Sequence, residues 1–453
     1  MSAMNQLIRH IEQTRYESLP ESTIDACKTF ILDSIGVGIS GSRVHYVDVI
    51  KQALAHQGNA AQAQVWVTGE WAPAHVAAAI NGYQIHNQEW DCVHERAVVH
   101  PMAVILSALV AFAQKENLSG KALILGVAVA VDVATLIGSS ASSGLKFFRP
   151  AVCGCLGATA GICAMLNIKG VTLENALGIA YSQISGTMQA HVEGSPMLAM
   201  QIATNAATSV NAIQLALAGF QGPKDILEGP FGYLKLFEDS YDLGYFHANL
   251  GKQYQIERVS HKPFPTGRAG HGTIDGIQTL QRNHTISIEQ IHAVEIEATP
   301  LINRLVGRPA KAGMDANYAK LCNGYIAATA LLTGSVNAED FSAVNLACPL
   351  RLALAAKVHT RVNTTTDPNA LAPVTVRIAM KNGEVLHVEL PAVLGHPDRP
   401  LSGQAQLKKF RDACRSAARP FSDTQIDNLI NRIDTLEQMQ NIKQLVELTI
   451  SNI

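Results

Sequence analysis

The chain has 453 residues, with 35 Lys and Arg against 37 Asp and Glu and a formal net charge of -2. It therefore lacks the basic excess of a nucleic-acid-binding surface. Charged residues make up only 16% and hydrophobic ones 47%, which excludes a largely disordered chain and leaves room for two or three domains. The eight cysteines contain no CxxC pair and read as reduced thiols of a cytoplasmic protein, not a disulfide frame or a zinc site.

The segment Met1–Glu21 is polar and amphipathic and has no apolar core of a secretion signal. From there to about residue 255 apolar residues recur at three- and four-residue spacing, as in Ala103–Ala113, Gly154–Leu166 and Ala206–Ala218, which predicts helices. The most apolar run, Ala122–Ile137, is shorter than a membrane span and carries Asp132, so a buried helix is expected and no membrane partner. After His261 the pattern changes. His292–Ala298 alternates like a strand, a helix is expected over roughly Tyr318–Leu332, and Val374–Met380 and Val385–Leu390 flank Lys381-Asn382-Gly383, a hairpin signal. Helical spacing returns at Gly403–Cys414 and Asp423–Leu445. The expected fold is mainly α: a large all-helical domain from residues 1–262 and 398–453, with a smaller, lid-like α+β domain over 263–397.

Two nucleotide- and metal-like motifs fail on context. Gly36-Val37-Gly38-Ile39-Ser40-Gly41 fits GxGxxG, but no strand precedes it and no acid lies between Asp48 and Glu70. His94-Glu95-Arg96-Ala97-Val98 begins like HExxH but ends on valine. The densest chemistry is His86–Pro101, with His86, Glu89, Asp91, His94, Glu95 and His100 between apolar helices. Desolvation there pushes pKa values toward working pH, the condition for proton transfer; a polar loop bonded to backbone and water is the plain alternative. A metal held by His86, Glu89, Asp91 and His94 fits no standard ligand spacing, so no metal is expected. Lys262, Arg268 and His271 lie close together in Lys262–His271, and Lys146 and Arg149 precede another apolar helix. Such cations suit carboxylate recognition.

These segments carry a resemblance. Leu32–Gly38, Asn81-Gly82 with His86, Asp91, His94 and His100-Pro101, Lys262-Pro263-Phe264-Pro265 with His271, Ala319-Lys320 with Tyr325, and Lys409-Phe410 occur in one order over most of the chain. Together they resemble the MmgE/PrpD family of 2-methylcitrate dehydratases, cis-aconitate decarboxylases and iminodisuccinate epimerases. The resemblance implies a homodimer without a cofactor, an interdomain cleft, and proton transfer beside a carboxylate of a small di- or tricarboxylic acid. The expected activity is a lyase, with an epimerase as the alternative and a catalytically degenerate binding dimer as the reading of another class. Asp91, His100, Lys262 and Tyr325 are the expected catalytic residues; His86, Glu89, His94, Arg149, Arg268 and His271 are expected to hold substrate. Leu198 and Gln201 stand where the resemblance implies a lysine and a histidine, so Arg149 is expected to supply the missing cation.

Overall fold

The computed structural model describes residues 2–452. Its helical part is built on close approach. Helix Gly120–Ser139 packs on helix Arg149–Met165, and a Cβ on Gly157 or Gly161 would meet the carbonyl of Ala130 or Gly126 at 2.5 and 2.6 Å. Small residues at this seam let two apolar helices bury one another. Helix Gly120–Ser139 is the one helix among the described residues long and apolar enough to cross a membrane, and it lies inside this core. Its Asp132 pairs with His10 at 3.0 Å and accepts the backbone N–H of Gln255 at 2.6 Å.

Helix Ala74–His86 packs against helices Pro101–Glu116 and Met197–Leu217. Helix Glu21–Gly41 covers it and carries the glycines of the GxGxxG match. A Cβ on Gly36 would stand 2.5 Å from Phe410, and one on Gly38 would stand 2.7 Å from Trp66. These glycines are packing contacts within a helix.

Strands β1 (Ala63–Gln64) and β2 (Trp71–Ala72) form a short ribbon that the alternation pattern did not predict. The main sheet comprises β3 (Ile291–Ala298), β4 (Val358–Val362), β5 (Val374–Met380) and β6 (Val385–Leu390), in the order β4-β3-β5-β6. β3 runs parallel to β4 and antiparallel to β5, and the β5–β6 hairpin turns at Gly383, whose φ is +90°. β4 escaped the sequence reading because it is a half-exposed edge strand, with His359, Arg361 and Val362 exposed. Helix His271–Asn283 lies on β5 and β6 and beside helix Asn323–Thr333. The protein is thus mainly helical with a smaller α+β part.

Beyond residue 400 the chain packs back on the N-terminal helices: helix Gly403–Arg415 lies on helix Glu21–Gly41. Lys409 pairs with Asp33 at 2.7 Å. The predicted single helix over 423–445 is two, Asp423–Asp434 and Lys443–Leu448.

Candidate active site

His86 is the last residue of helix Ala74–His86, and His100 is the cap residue before Pro101 opens the next helix. The loop between them is tightly constrained. Glu89 and Val98 have φ of +55° and +51°, a left-handed conformation that costs non-glycine residues energy and is least tolerated by a β-branched one. Lys409 donates to the carbonyl of Trp90 at 3.0 Å. Val93 and Ser260 exchange two backbone hydrogen bonds of 3.0 and 2.7 Å. That exchange delivers Lys262, two residues later, to the centre of the loop.

Asp91 organises the cluster. Its Oδ2 lies 2.9 Å from His86 Nδ1 and 3.2 Å from His100 Nδ1. A carboxylate only accepts, so both Nδ1 atoms carry protons and both Nε2 atoms face away from Asp91. Lys262 Nζ lies 3.5 Å from Asp91 Oδ1 and donates to the Glu89 carbonyl at 3.0 Å and to Glu89 Oε2 at 3.2 Å. His86 Nε2 is 3.6 Å from Glu89 Oε1. Lys262 and Asp91 are fully buried.

The charges in this cluster balance. Burial opposes ionisation of both acids, yet His86, His100 and Lys262 hold Asp91 well below its ordinary range. Lys262, then His86 and His100, bring Glu89 down to about 2. Burial alone would lower His86, but Asp91 and Glu89 outweigh it and raise its pKa. His100 goes the other way, lowered by burial and then by Lys262 against the pull of Asp91. Two carboxylates thus face the Lys262 ammonium and a His86 whose charged form they favour, while His100 is biased toward its neutral form.

His100 and Glu89 line a cleft with Phe148, His191, Leu198 and Arg268. An adjoining cavity shares Glu89, Leu198 and Leu321 and reaches His86, Asn87 and Ser195. Ligand atoms of His86, Asp91 and His100 lie within 4.8 Å of one another. A divalent cation there would displace both imidazole bonds to Asp91 and sit beside the Lys262 ammonium, so the three fit a proton relay better than a metal set.

The structure brings Asp91, His100, Lys262, His86 and Glu89 together and leaves five other expected residues committed elsewhere. Arg149 does not reach the cleft. Its Nε and Nη2 donate to the Glu238 carboxylate at 2.8 and 2.7 Å, its Nη1 to Asn369 at 2.9 Å, and it is 1% exposed. Phe148, the non-helical cap residue, and Pro150 face the cleft, and Arg149 between them turns to Glu238. Tyr325 is fully buried, donates to the Asp340 carbonyl at 2.5 Å, and does not line the cleft. His94 accepts the Ala97 N–H on Nδ1 and donates from Nε2 to Gln255, and burial lowers its pKa to about 4. His271 donates from Nε2 to the Thr266 carbonyl at 3.2 Å behind the cleft. Arg268 lines the cleft, but Glu95 at 2.8 Å and the carbonyls of Val393 and Leu394 occupy it.

One cleft residue, His191, and one buried lysine, Lys320, are not among the expected site residues. His191 lines the cavity, with a pKa lowered to about 4 by burial and then by Arg308. Lys320, from the α+β part, donates to the Asn87 carbonyl at 3.2 Å, and burial lowers its pKa to about 8. His191 was legible only as a lone histidine before Gly194-Ser195; Lys320 lay inside a quoted motif but carried no spacing signal of its own.

On a mainly helical fold, then, a histidine whose Nδ1 bonds a buried carboxylate stands at the wall of a cleft. Comparison with known proteins names the group. The MmgE/PrpD N-terminal domain matches residues 5–245 and the MmgE/PrpD C-terminal domain residues 264–438, and the chain belongs to the MmgE/PrpD family. It is similar along its length to cis-aconitate decarboxylases: 24% identical to that of Mus musculus (97% of this chain, 91% of the relative). The Homo sapiens protein is 23% identical (95% and 91%), and that of Aspergillus terreus 25% (95% and 93%).

Proposed function

We propose that the protein is a cofactor-independent lyase that moves a proton at a carbon beside a carboxylate of a small di- or tricarboxylic acid. The observation that carries this reading is the His100–Asp91 pair: Nδ1–H bound to a buried carboxylate, Nε2 free of Asp91 at the cleft wall. His100 Nε2 takes the proton; the imidazolium formed is stabilised by Asp91. In a dehydration that proton goes to the departing hydroxyl; in a decarboxylation no carbon-bound proton is taken, and the carbanion left as carbon dioxide departs receives a proton from the Nε2–H of protonated His86, which lines the adjoining cavity. Protonated His86, one face of the cluster away, supplies positive charge as the enolate-like anion forms. The similarity to cis-aconitate decarboxylases supports the lyase reading. The same reading makes residues 263–397 a lid whose closure excludes water and the working protein a cytoplasmic homodimer, in keeping with eight free cysteines.

The test is proton NMR in deuterium oxide with cis-aconitate, citrate and 2-methylcitrate. Wild type is expected to release water or carbon dioxide, or to exchange a carbon-bound proton, from at least one of them. His100→Gln is expected to lose that reaction. No turnover and no exchange in wild type would overturn the proposal. Inversion of a stereocentre without loss of any group would assign an epimerase instead.

A further inference from the structure

With Leu198 apolar and Arg149 neutralised, the cleft needs another cation to receive a substrate carboxylate. Most of the positive groups around it are already taken. Three of the arginines closed into the interior have acid partners: Arg149 has Glu238, Arg268 has Glu95, and Arg351 has Asp340, at 2.7, 2.8 and 2.7 Å. Arg308 differs. Among the described residues no carboxylate lies within ion-pair distance of it.

Arg308 follows Gly307, whose backbone pairs with Cys322, and its guanidinium lies over the Tyr318 ring at 5.0 Å. Its Nη2 donates to the carbonyl of His191 at 2.8 Å and to His191 Nδ1 at 3.3 Å, and the nearby Leu305 and Val306 line the cleft. That contact fixes the His191 tautomer: Nδ1 accepts, so Nε2 carries the proton. The other terminal nitrogen, Nη1, is buried and has no acceptor. A buried charged donor without a partner is costly, and the group that best satisfies a guanidinium edge is a carboxylate. His191 itself lines the cleft with His100, Glu89 and Leu198.

We propose that Arg308, assisted by the Nε2–H of His191, is the residue that anchors a substrate carboxylate here. Resting on the lyase reading above, this assigns the substrate class more narrowly. The acid carries a second carboxylate, remote from the reacting carbon, that Arg308 receives while His100 works at the other end. Arg308 is a specificity-determining residue and takes no proton.

Calorimetric titration of the full chain with tricarballylate, succinate and butyrate tests this, because none of these probes needs to react. Wild type is expected to bind tricarballylate and succinate more tightly than butyrate. Arg308→Gln should weaken tricarballylate tenfold or more and leave butyrate within twofold, while Arg308→Lys should retain most of the affinity. Leu198→Lys, which sets an ammonium on the cleft wall, should restore tricarballylate binding to the Arg308→Gln protein; loss of a merely structural arginine would not be repaired this way. If Arg308→Gln does not fold, Arg308→Lys and the single Leu198→Lys variant carry the test. The lysine at 308 must then keep the preference for tricarballylate over butyrate. Tricarballylate binding unchanged in Arg308→Gln, or a lost preference in folded Arg308→Lys, would overturn the assignment and leave the lyase reading standing. Wild type that binds none of the three acids would overturn both.

Discussion

Two buried ion clusters in this protein pair acidic with basic side chains to opposite ends. Around Arg149, each guanidinium nitrogen has an acceptor, and Glu238 is further bonded by the Tyr233 hydroxyl at 3.2 Å. Around Asp91 the charges also balance, but the cluster is open. His86 Nε2 and Asp91 Oδ1 have no hydrogen-bond partner, and His100 stands at a cleft. The first cluster is closed upon itself and ties Ser143 to Asn369 across the two parts of the fold. The second keeps one neutral base in reserve. Burial and charge alone do not mark a reactive site; what marks it is a group held by its neighbours with one atom left over.

The sharpest way to test this contrast is to break each cluster at its base or its cation. His100→Gln should lower kcat by roughly 10²–10⁴-fold, the usual worth of a positioned acid–base group, with little change in melting temperature. Arg149→Leu should do the reverse. It leaves Glu238 buried and unpaired, which costs about 3–5 kcal/mol, yet the protein that remains folded should keep its kcat and its KM. Adding Glu238→Leu should return most of that stability, since replacing both partners of a buried pair by apolar groups is often neutral. Denaturant melts with steady-state kinetics on the same samples check all three. A raised KM in folded Arg149→Leu would show that the closed cluster does reach the substrate.

The smallest expected effect is on pH. His100 acts when neutral and its pKa lies below its ordinary value of 6.5, so activity should rise as pH increases through a point below 6.5. His86 acts when protonated and its pKa is raised above 6.5, so activity should fall as pH passes a point above 6.5. A bell in kcat/KM, which reports the free protein, with its limbs on either side of 6.5 follows. In His86→Gln the alkaline limb should disappear while the acid limb stays. An acid limb above 6.5 in wild type would mean that His100 is not the base.

Much of this was legible in the residues. Helical spacing, the switch to alternation after His261 and the Asn382-Gly383 turn anticipated the helices and three of the four strands of the main sheet. The loop His86–His100 stood out because titratable groups there interrupt an apolar background. What could not be read was direction. Arg149 opens a helix directly after the non-helical Phe148, so it and its neighbours Phe148 and Pro150, adjacent in sequence, serve different sides. Tyr325 sits in the expected stretch but faces Asp340 and Arg351. Arg308 carries no periodic or motif signal, and its lack of an acid partner is visible only in three dimensions.

The grip of Lys409 on the carbonyl of Trp90 ties the loop that bears Glu89 and Asp91 to a helix more than 300 residues further along. A chain cut after residue 400 keeps each group that borders the cleft and loses the strut behind them. A chain shortened to that point is therefore expected to hold its full chemical complement on a loop that lacks this strut.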